Sequence, residues 1–507
     1  MNLWPVVDAA EEDARGERGL DAILEGLRAI TLPLRDRLAP DGGPFGVGLW
    51  IPADVAAYLA SHAPARGRWL TFLAAERLDA FTFNAFPFGD FHRAGLKAGV
   101  FQPDWLAPER AAFTCDVATL GSAVAEAFDW GPDRHLSIST HTGGHLGALL
   151  TEHTADAAQG TQPSVVANAT DSRETPRQIK VTGQGAAPGD DEAITSLRAQ
   201  VAEQFAKARM ELERTSAASA DGLGAPAPRI VLGLEPEPRS LAGDTRELIP
   251  LAEAIARAVA NQAMGAPAGA EAGLGVRSDC APSTDSDAES GAVGTSTVAL
   301  GVCLDACHAA VEFEGAVAAA ERATRLMPLA KLQYSSAVRL TDPGSDPEGF
   351  AALLAQDEPV YLHQVTGRQA ASDGAEHAGA QGGPSSDVLP DQLRRAADLT
   401  DLAAAPGTWR ALDELRCHFH VPVDLAAVGR LDTTAAFASE LLDHLLAHPE
   451  RWGTRELHVE IETYTWSLGG FDGAPRQGHA HVVDGIEAEY RHVLAQLAAA
   501  GWQPAMA

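Results

Sequence analysis

The chain has 507 residues, with 38 Lys or Arg against 69 Asp or Glu, giving a net charge of −31 at neutral pH. Binding to nucleic acid depends on clustered Lys and Arg that displace counterions from phosphates, and anionic lipid likewise repels an acidic surface. Both are therefore excluded as partners, and a small molecule is the expected one. Five scattered cysteines do not make a disulfide framework. Cys303 and Cys307 read as small packing residues in a reducing compartment. The acidic opening MNLWPVVDAAEEDARGER lacks the basic start and apolar stretch of a signal peptide. No run of about 20 residues is apolar enough to insert into a bilayer. A cytoplasmic protein without direct membrane insertion is expected.

In chain order, PFGVGLWI at 44–51 predicts a strand and 52–63 a helix, LDAFTFNAF at 78–86 a strand, and 105–128 a helix. HLSIST at 135–140 predicts the third strand. The stretch 155–190 that follows is rich in Gly, Ala, Ser, Asp and Pro and nearly lacks aromatics, so it reads as a surface insertion that cannot bury enough apolar area to order itself. A helix over 191–215, the strand RIVLGLEPE at 229–237 and a helix over 246–262 come next, then a second insertion at 265–295. VALGVCLDAC at 298–307, a helix over 309–326 and LAKLQYSS at 329–336 follow, with a third insertion at 367–388. The chain closes with a short run at 418–423, a helix over 434–447, ELHVEIETYTW at 456–466 and a helix over 484–500.

Strands alternating with helices of this length imply βαβ units and a parallel sheet. Seven strands plus the run at 418–423 make eight, the number that closes a TIM-type (β/α)8 barrel, here expected as one domain over the whole chain. An open doubly wound sheet is the competing arrangement. No Gly-rich phosphate loop follows an early strand, so a dinucleotide-binding sheet has no support.

Active sites of such barrels lie at the C-terminal ends of the strands, and ionisable residues recur there. Glu235 and Glu237 follow the fourth strand, Asp305 and His308 the fifth, and Lys331 and Gln333 lie on the sixth. His418 and His420 sit in the short run, and His458, Glu460 and Glu462 alternate along the last strand. Residues two apart on a strand share a face. A buried carboxylate costs several kcal/mol unless it is paired or metal-bound, so acids and histidines converging from successive strand ends are reconciled most simply by a divalent cation. Each residue alone also has a plainer reading, a solvated or ion-paired acid or a packed histidine. The ordered recurrence is what points to a site.

Those residues carry a resemblance. The run Val302-Cys303-Leu304-Asp305-Ala306-Cys307-His308 is similar to the LDTCH segment of endonuclease IV-like barrels, which belong with the sugar epimerases to the xylose isomerase-like superfamily. FTFNAFPFGDFH (81–92), QPDW (102–105), LSIST (136–140), LEPEP (234–238), CLDACHAAVEFE (303–314), KLQYSSA (331–337), YLHQV (361–365), CHFHVP (417–422) and ETYTW (462–466) resemble the EboE-type metabolite traffic proteins. The resemblance implies metal ligands at Glu235, Asp305, Gln333, Glu462, His308 and His420. It places Gln333 where many members carry histidine, which favours Mg2+ or Mn2+ while leaving Zn2+ open. The family's opening strand has no clear equivalent here, so the first barrel strand is expected to be missing or degenerate.

The activity implied is that of a sugar phosphate isomerase or epimerase, with Glu235 and Glu462 moving a proton next to a carbonyl. His418, Lys331, Trp466, Phe88 and His92 would contact the substrate. The alternatives are a non-catalytic metabolite carrier working with other proteins of an export pathway, and a metal-dependent phosphoesterase.

Overall fold

The computed structural model describes residues 12–89, 95–131, 133–159, 190–223, 228–265, 297–369, 392–468 and 478–502. Seven parallel strands form one sheet: β1 (Phe45–Leu49), β2 (Leu78–Asn84), β3 (His135–His141), β4 (Arg229–Glu235), β5 (Val298–Asp305), β6 (Leu329–Tyr334) and, far along the chain, β13 (Val459–Ile461). Their order is β1-β2-β3-β4-β5-β6-β13, each pairing in parallel with the next. The sheet curls into a nearly closed barrel. β3 is buried along its whole length, as a strand with packed layers on both sides must be. Helices cover the outside; on Thr245–Gly265 the buried Leu248, Leu251, Ala252, Ile255 and Val259 recur at helical spacing and face the sheet.

β1 and β13 are the two edges and do not pair with each other. Side chains fill the seam between them. Gly48 on β1 lies so close to the Glu460 carboxylate on β13 that a Cβ there would overlap it, which is a reason for glycine at that point of the strand. The described residues ahead of β1 are helical over Glu12–Leu38. No strand precedes β1 among the described residues.

The run at 418–423, expected as the eighth barrel strand, does not join the parallel sheet. One residue after β6 the chain enters β7 (Ser336–Thr341), the first strand of a second, six-stranded sheet. The others are β8 (Val365–Arg368), β9 (Leu393–Ala396), β10 (Glu414–Val421), β11 (Ala427–Val428) and β12 (Leu431–Thr433), in the order β11-β12-β7-β10-β8-β9 and antiparallel throughout. This sheet has its own apolar core, including Val338, Leu340, Val365, Trp409, Leu415, Cys417 and Phe419. His418 and His420 therefore lie on β10, and come to the barrel from outside it.

The predicted strand at 456–466 is only three residues long, and a 3-10 helix at Tyr464–Leu468 follows it. The three expected insertions fall almost wholly outside the described residues. The start of the third, Gly367 and Arg368, belongs to β8 and pairs with Leu415 and Glu414. Among the described residues no helix is long and apolar enough to cross a membrane.

Candidate metal centre

Glu235 and Asp305 are the last residues of β4 and β5, and Glu462 directly follows β13, so these three acids meet at one end of the barrel. Pro236 and Pro238 follow Glu235 and end the β4 ladder, since proline has no N–H to give it. At the end of β5, Asp305 caps the helix Ala306–Val311: its Oδ1 accepts the His308 N–H at 2.9 Å. That cap holds His308 one turn away, facing the same space, and uses only one carboxylate oxygen. The other, Oδ2, is sealed from solvent without a hydrogen-bond partner, as is Glu235 Oε2.

Three imidazoles meet above these carboxylates. His308 Nε2 lies 3.1 Å from His418 Nε2, which lies 2.9 Å from His420 Nε2. Their tautomers follow from the other ring nitrogens. His308 Nδ1 faces the Pro236 carbonyl at 3.0 Å and His420 Nδ1 the Glu462 carbonyl at 2.8 Å; a carbonyl only accepts, so both Nδ1 atoms carry the proton. His418 Nδ1 lies 2.6 Å from Gln364 Oε1. That amide is fixed the same way round, because its nitrogen donates to Glu237 Oε1 at 3.2 Å and to the Pro238 carbonyl at 3.1 Å. All three Nε2 atoms are thus unprotonated, with lone pairs pointing at one another. Lone pairs this close repel unless a cation lies between them, and an imidazole whose far nitrogen is held by a carbonyl or amide oxygen is the usual form of a metal ligand.

Charge leads to the same result. Glu235, Glu237 and Asp305 are buried, and Glu462 completes a ligand grouping with Glu235 and Asp305. Burial, reinforced by the neighbouring acids, pushes Glu235 and Glu462 well above the usual carboxylate range. Burial raises Glu237 to about 8, against the opposing pull of the Gln364 hydrogen bond. Burial also keeps the histidines neutral, with His308 lowered to about 4. The nearest buried cation, Lys331, is bound to Glu460 at 2.5 Å. Lys331 offsets only part of the charge at Glu235 and Glu462, and a cluster of four acids so weakly compensated fits a metal and suits no apolar role.

The ligand atoms fall into overlapping groupings, Asp305-His308-His420, Glu235-Asp305-Glu462, Glu237-His308-His418 and Cys307-His418-His420, with the atoms in each within 4.8 Å of one another. Asp305 and His308 are shared between groupings. A pocket of about 520 Å3, its open mouth included, rises above them. Asn84, Phe86, Lys97, Tyr361 and Tyr464 help to line it.

The structure brings together Glu235, Asp305, His308, His418, His420 and Glu462. Gln333 stands beside them. Its Oε1 accepts from the Cys303 thiol, and its Nε2 donates to Glu462 Oε2. The oxygen expected to bind metal therefore faces away from the centre. Lys331 lies within the barrel, fully buried on Glu460. Trp466 gives its Nε1–H to Glu489 at 2.9 Å and packs on Gly485, away from the pocket. Phe88 stacks edge-on against Phe113, under the Arg110 guanidinium. His92 lies outside the described residues.

Glu237, Gln364, Asn84 and Tyr464 join the site without having been assigned to it. All four lie in the motifs LEPEP, YLHQV, FTFNAF and ETYTW. For Glu237 a further signal was available, its two-residue offset from Glu235.

Asn84 and Gln333 both donate to Glu462, Asn84 Nδ2 at 3.1 Å. Such outer partners orient a ligand and typically contribute about 10–100-fold in metal affinity. Gln333→Leu should therefore weaken metal retention by about that factor, read as faster loss of bound ion to a chelator, with the fold intact by circular dichroism. Compared with protein-family models and with curated proteins, the chain gives no match.

Proposed function

We propose that the protein is a metal-dependent enzyme that moves a proton next to a carbonyl on a small polyhydroxylated or keto substrate, in the manner of the sugar isomerases and epimerases its motifs resemble. The observation that carries this reading is the convergence of three unprotonated Nε2 atoms and four acids, three of them buried, beneath one pocket. His308, His418, His420, Asp305, Glu235 and Glu462 would hold the ion, which supplies Lewis acidity to substrate oxygens. Three imidazoles with carboxylates suit Zn2+ or Mn2+. The case for a harder ion rested on Gln333, whose oxygen is occupied by Cys303. Glu235, at the end of β4, and Glu462, just past β13, approach from separate strands, so one can accept the proton and the other return it. Asn84 and Gln333 hold Glu462 in place for this. The −31 charge keeps nucleic acid out of consideration as substrate.

The test is hydrogen exchange. Protein loaded with Mn2+ or Zn2+ is incubated in deuterated water with a panel of sugars, sugar phosphates and keto acids, and read by NMR. Deuterium should enter at the carbon beside the carbonyl of at least one, and Glu235→Gln and Glu462→Gln should abolish it. Tight binding of a panel member without exchange would sink the enzyme reading in favour of a carrier. A second reading, phosphoester hydrolysis, draws on the sharing of Asp305 and His308 between groupings, which offers more ligand atoms than one ion uses. Metal-dependent release of nitrophenol from a nitrophenyl phosphate diester, with no exchange, would favour it.

A further inference from the structure

The last helix, His479–Ala499, buries a stripe at helical spacing: Val482, Ile486, Glu489 and Val493. Three of these are apolar, and the fourth is a glutamate sealed completely from solvent. Burial raises its carboxyl to about 7, against the pull of the hydrogen bonds it accepts from Thr463 and Trp466. An apolar side chain would hold the helix to the barrel without that desolvation, so the carboxylate has another use. Gly485, one turn earlier on the same side of the helix, is bare for a related reason. A Cβ there would lie 2.3 Å from the Trp466 ring.

Glu489 collects donors from two separate segments. Its Oε1 accepts the Thr463 hydroxyl at 2.6 Å and the Val423 N–H at 3.3 Å, and its Oε2 accepts the Trp466 indole N–H at 2.9 Å. Only a carboxylate accepts at both oxygens; an amide or a protonated acid presents a donor at one of them. Thr463 and Trp466 lie on either side of Tyr464, in the turn that leaves β13 through Glu462. Val423 lies two residues beyond β10, the strand that carries His418 and His420. The same two segments are joined again beside the centre. His420 Nδ1 donates to the Glu462 carbonyl at 2.8 Å, and the Thr465 hydroxyl donates to the His420 carbonyl. Gly485 and Glu489 thus make a seat, with the Trp466 ring in the gap left by the glycine and its N–H on the carboxylate.

We propose that Glu489 is a positioning residue for the metal centre: with Gly485 it seats the turn 463–466 on the last helix and so fixes Glu462 and His420 relative to each other. This role rests on the reading of the pocket centre as a metal site, and Glu489 itself does not line the pocket. β13 is three residues long and pairs on one side only. Its ladder holds Glu462 loosely, the Glu462 N–H meeting the Tyr334 carbonyl at 3.4 Å. The seat supplies the missing constraint from outside the barrel. It also sets Tyr464, which lines the pocket and lies against the His420 ring with centroids 4.7 Å apart.

The test is metal affinity in the full-length protein, measured well below its melting temperature by competition with a chromophoric chelator for Zn2+. Glu489→Leu fills similar space without accepting a hydrogen bond, and should weaken the ion by about 10–100-fold. The visible spectrum of bound Co2+ should shift with it, because the ligand geometry changes. Glu489→Gln keeps an acceptor for Trp466 and lets the Thr463 hydroxyl accept from its amide, so it should recover most of the loss. Gly485→Ala should weaken the ion with the carboxylate intact, by displacing Trp466. Alanine is the better helix former, so that loss is not one of helix. A merely structural seat would lower the metal-free melting temperature and leave the Zn2+ affinity and the Co2+ spectrum unchanged. If Glu489→Leu and Gly485→Ala both hold Zn2+ as tightly as wild type with an unchanged Co2+ spectrum, the proposal is overturned and the centre stands. A wild type that binds no divalent ion removes the centre and the proposal with it. Should Glu489→Leu fail to fold, Gly485→Ala decides alone.

Discussion

Metal-free Asp305→Asn should melt at a higher temperature than metal-free wild type, yet gain almost nothing from divalent ions that stabilise the wild type. Asparagine caps a helix as well as aspartate does, so the bond to the His308 N–H survives and the local fold is kept. What is lost is a charge that raises both Glu235 and Glu462, and with it much of the repulsion among these acids in the metal-free protein. An ion at about a thousand times its dissociation constant stabilises by roughly 4 kcal/mol, on the order of 5 °C in a chain of this size. The wild type should show a shift of that order and Asp305→Asn should not. The gap between loaded and metal-free wild type should also widen as pH rises toward 8. Burial raises the folded value of Glu237 to about 8, above its unfolded value. The stability of its protonated form is present at low pH and is lost as pH rises through that folded value. The metal-loaded form has already released such protons and does not share the loss. Differential scanning calorimetry from pH 5 to pH 8, with and without Zn2+, decides it. A wild type indifferent to every divalent ion, or an Asp305→Asn that responds like wild type, would remove the metal centre.

Much of this centre is legible in the sequence because two of its parts are local. The helix cap places His308 three residues after Asp305 whatever the rest of the chain does, and the ends of β4 and β5 are marked by an abrupt change from apolar residues to Glu235 and Asp305. The origin of His418 and His420 is not legible in this way. β6 and β7 are separated by Ser335 alone, so LAKLQYSS reads as one strand, and no periodicity marks where the chain leaves one sheet for another. Strands such as Leu393–Ala396, with two consecutive arginines, lack the apolar run that identifies a barrel strand. Gln333 shows a different limit. Strand alternation gives the face it occupies, but the direction of its amide depends on the neighbouring Cys303 and Glu462 side chains, which belong to other strands. Trp466 likewise follows Glu462 closely in sequence, and the 3-10 turn between them rotates it onto Glu489.

Lys331→Met should be among the most damaging single changes in the barrel, and Glu460→Leu added to it should restore most of the loss. Lys331 is fully buried and Glu460 nearly so, their charged atoms 2.5 Å apart. Removing one partner of such a pair leaves an uncompensated buried charge and costs about 3–5 kcal/mol, whereas replacing both with apolar side chains of similar volume is often neutral or stabilising. The remaining Glu460 has nowhere to turn, because its Oε1 already lacks a hydrogen-bond partner and abuts Gly48 across the seam. Chemical denaturation of wild type, both single variants and the double variant gives the coupling directly. A coupling energy near zero would mean that the pair does not hold the seam. Neither side chain lines the pocket, so the double variant should keep its bound metal. If instead it folds well and loses the ion, the positive charge of Lys331 beneath Glu235 and Glu462 is needed to hold those acids ionised, and its part in the protein is electrostatic support of the centre more than closure of the barrel.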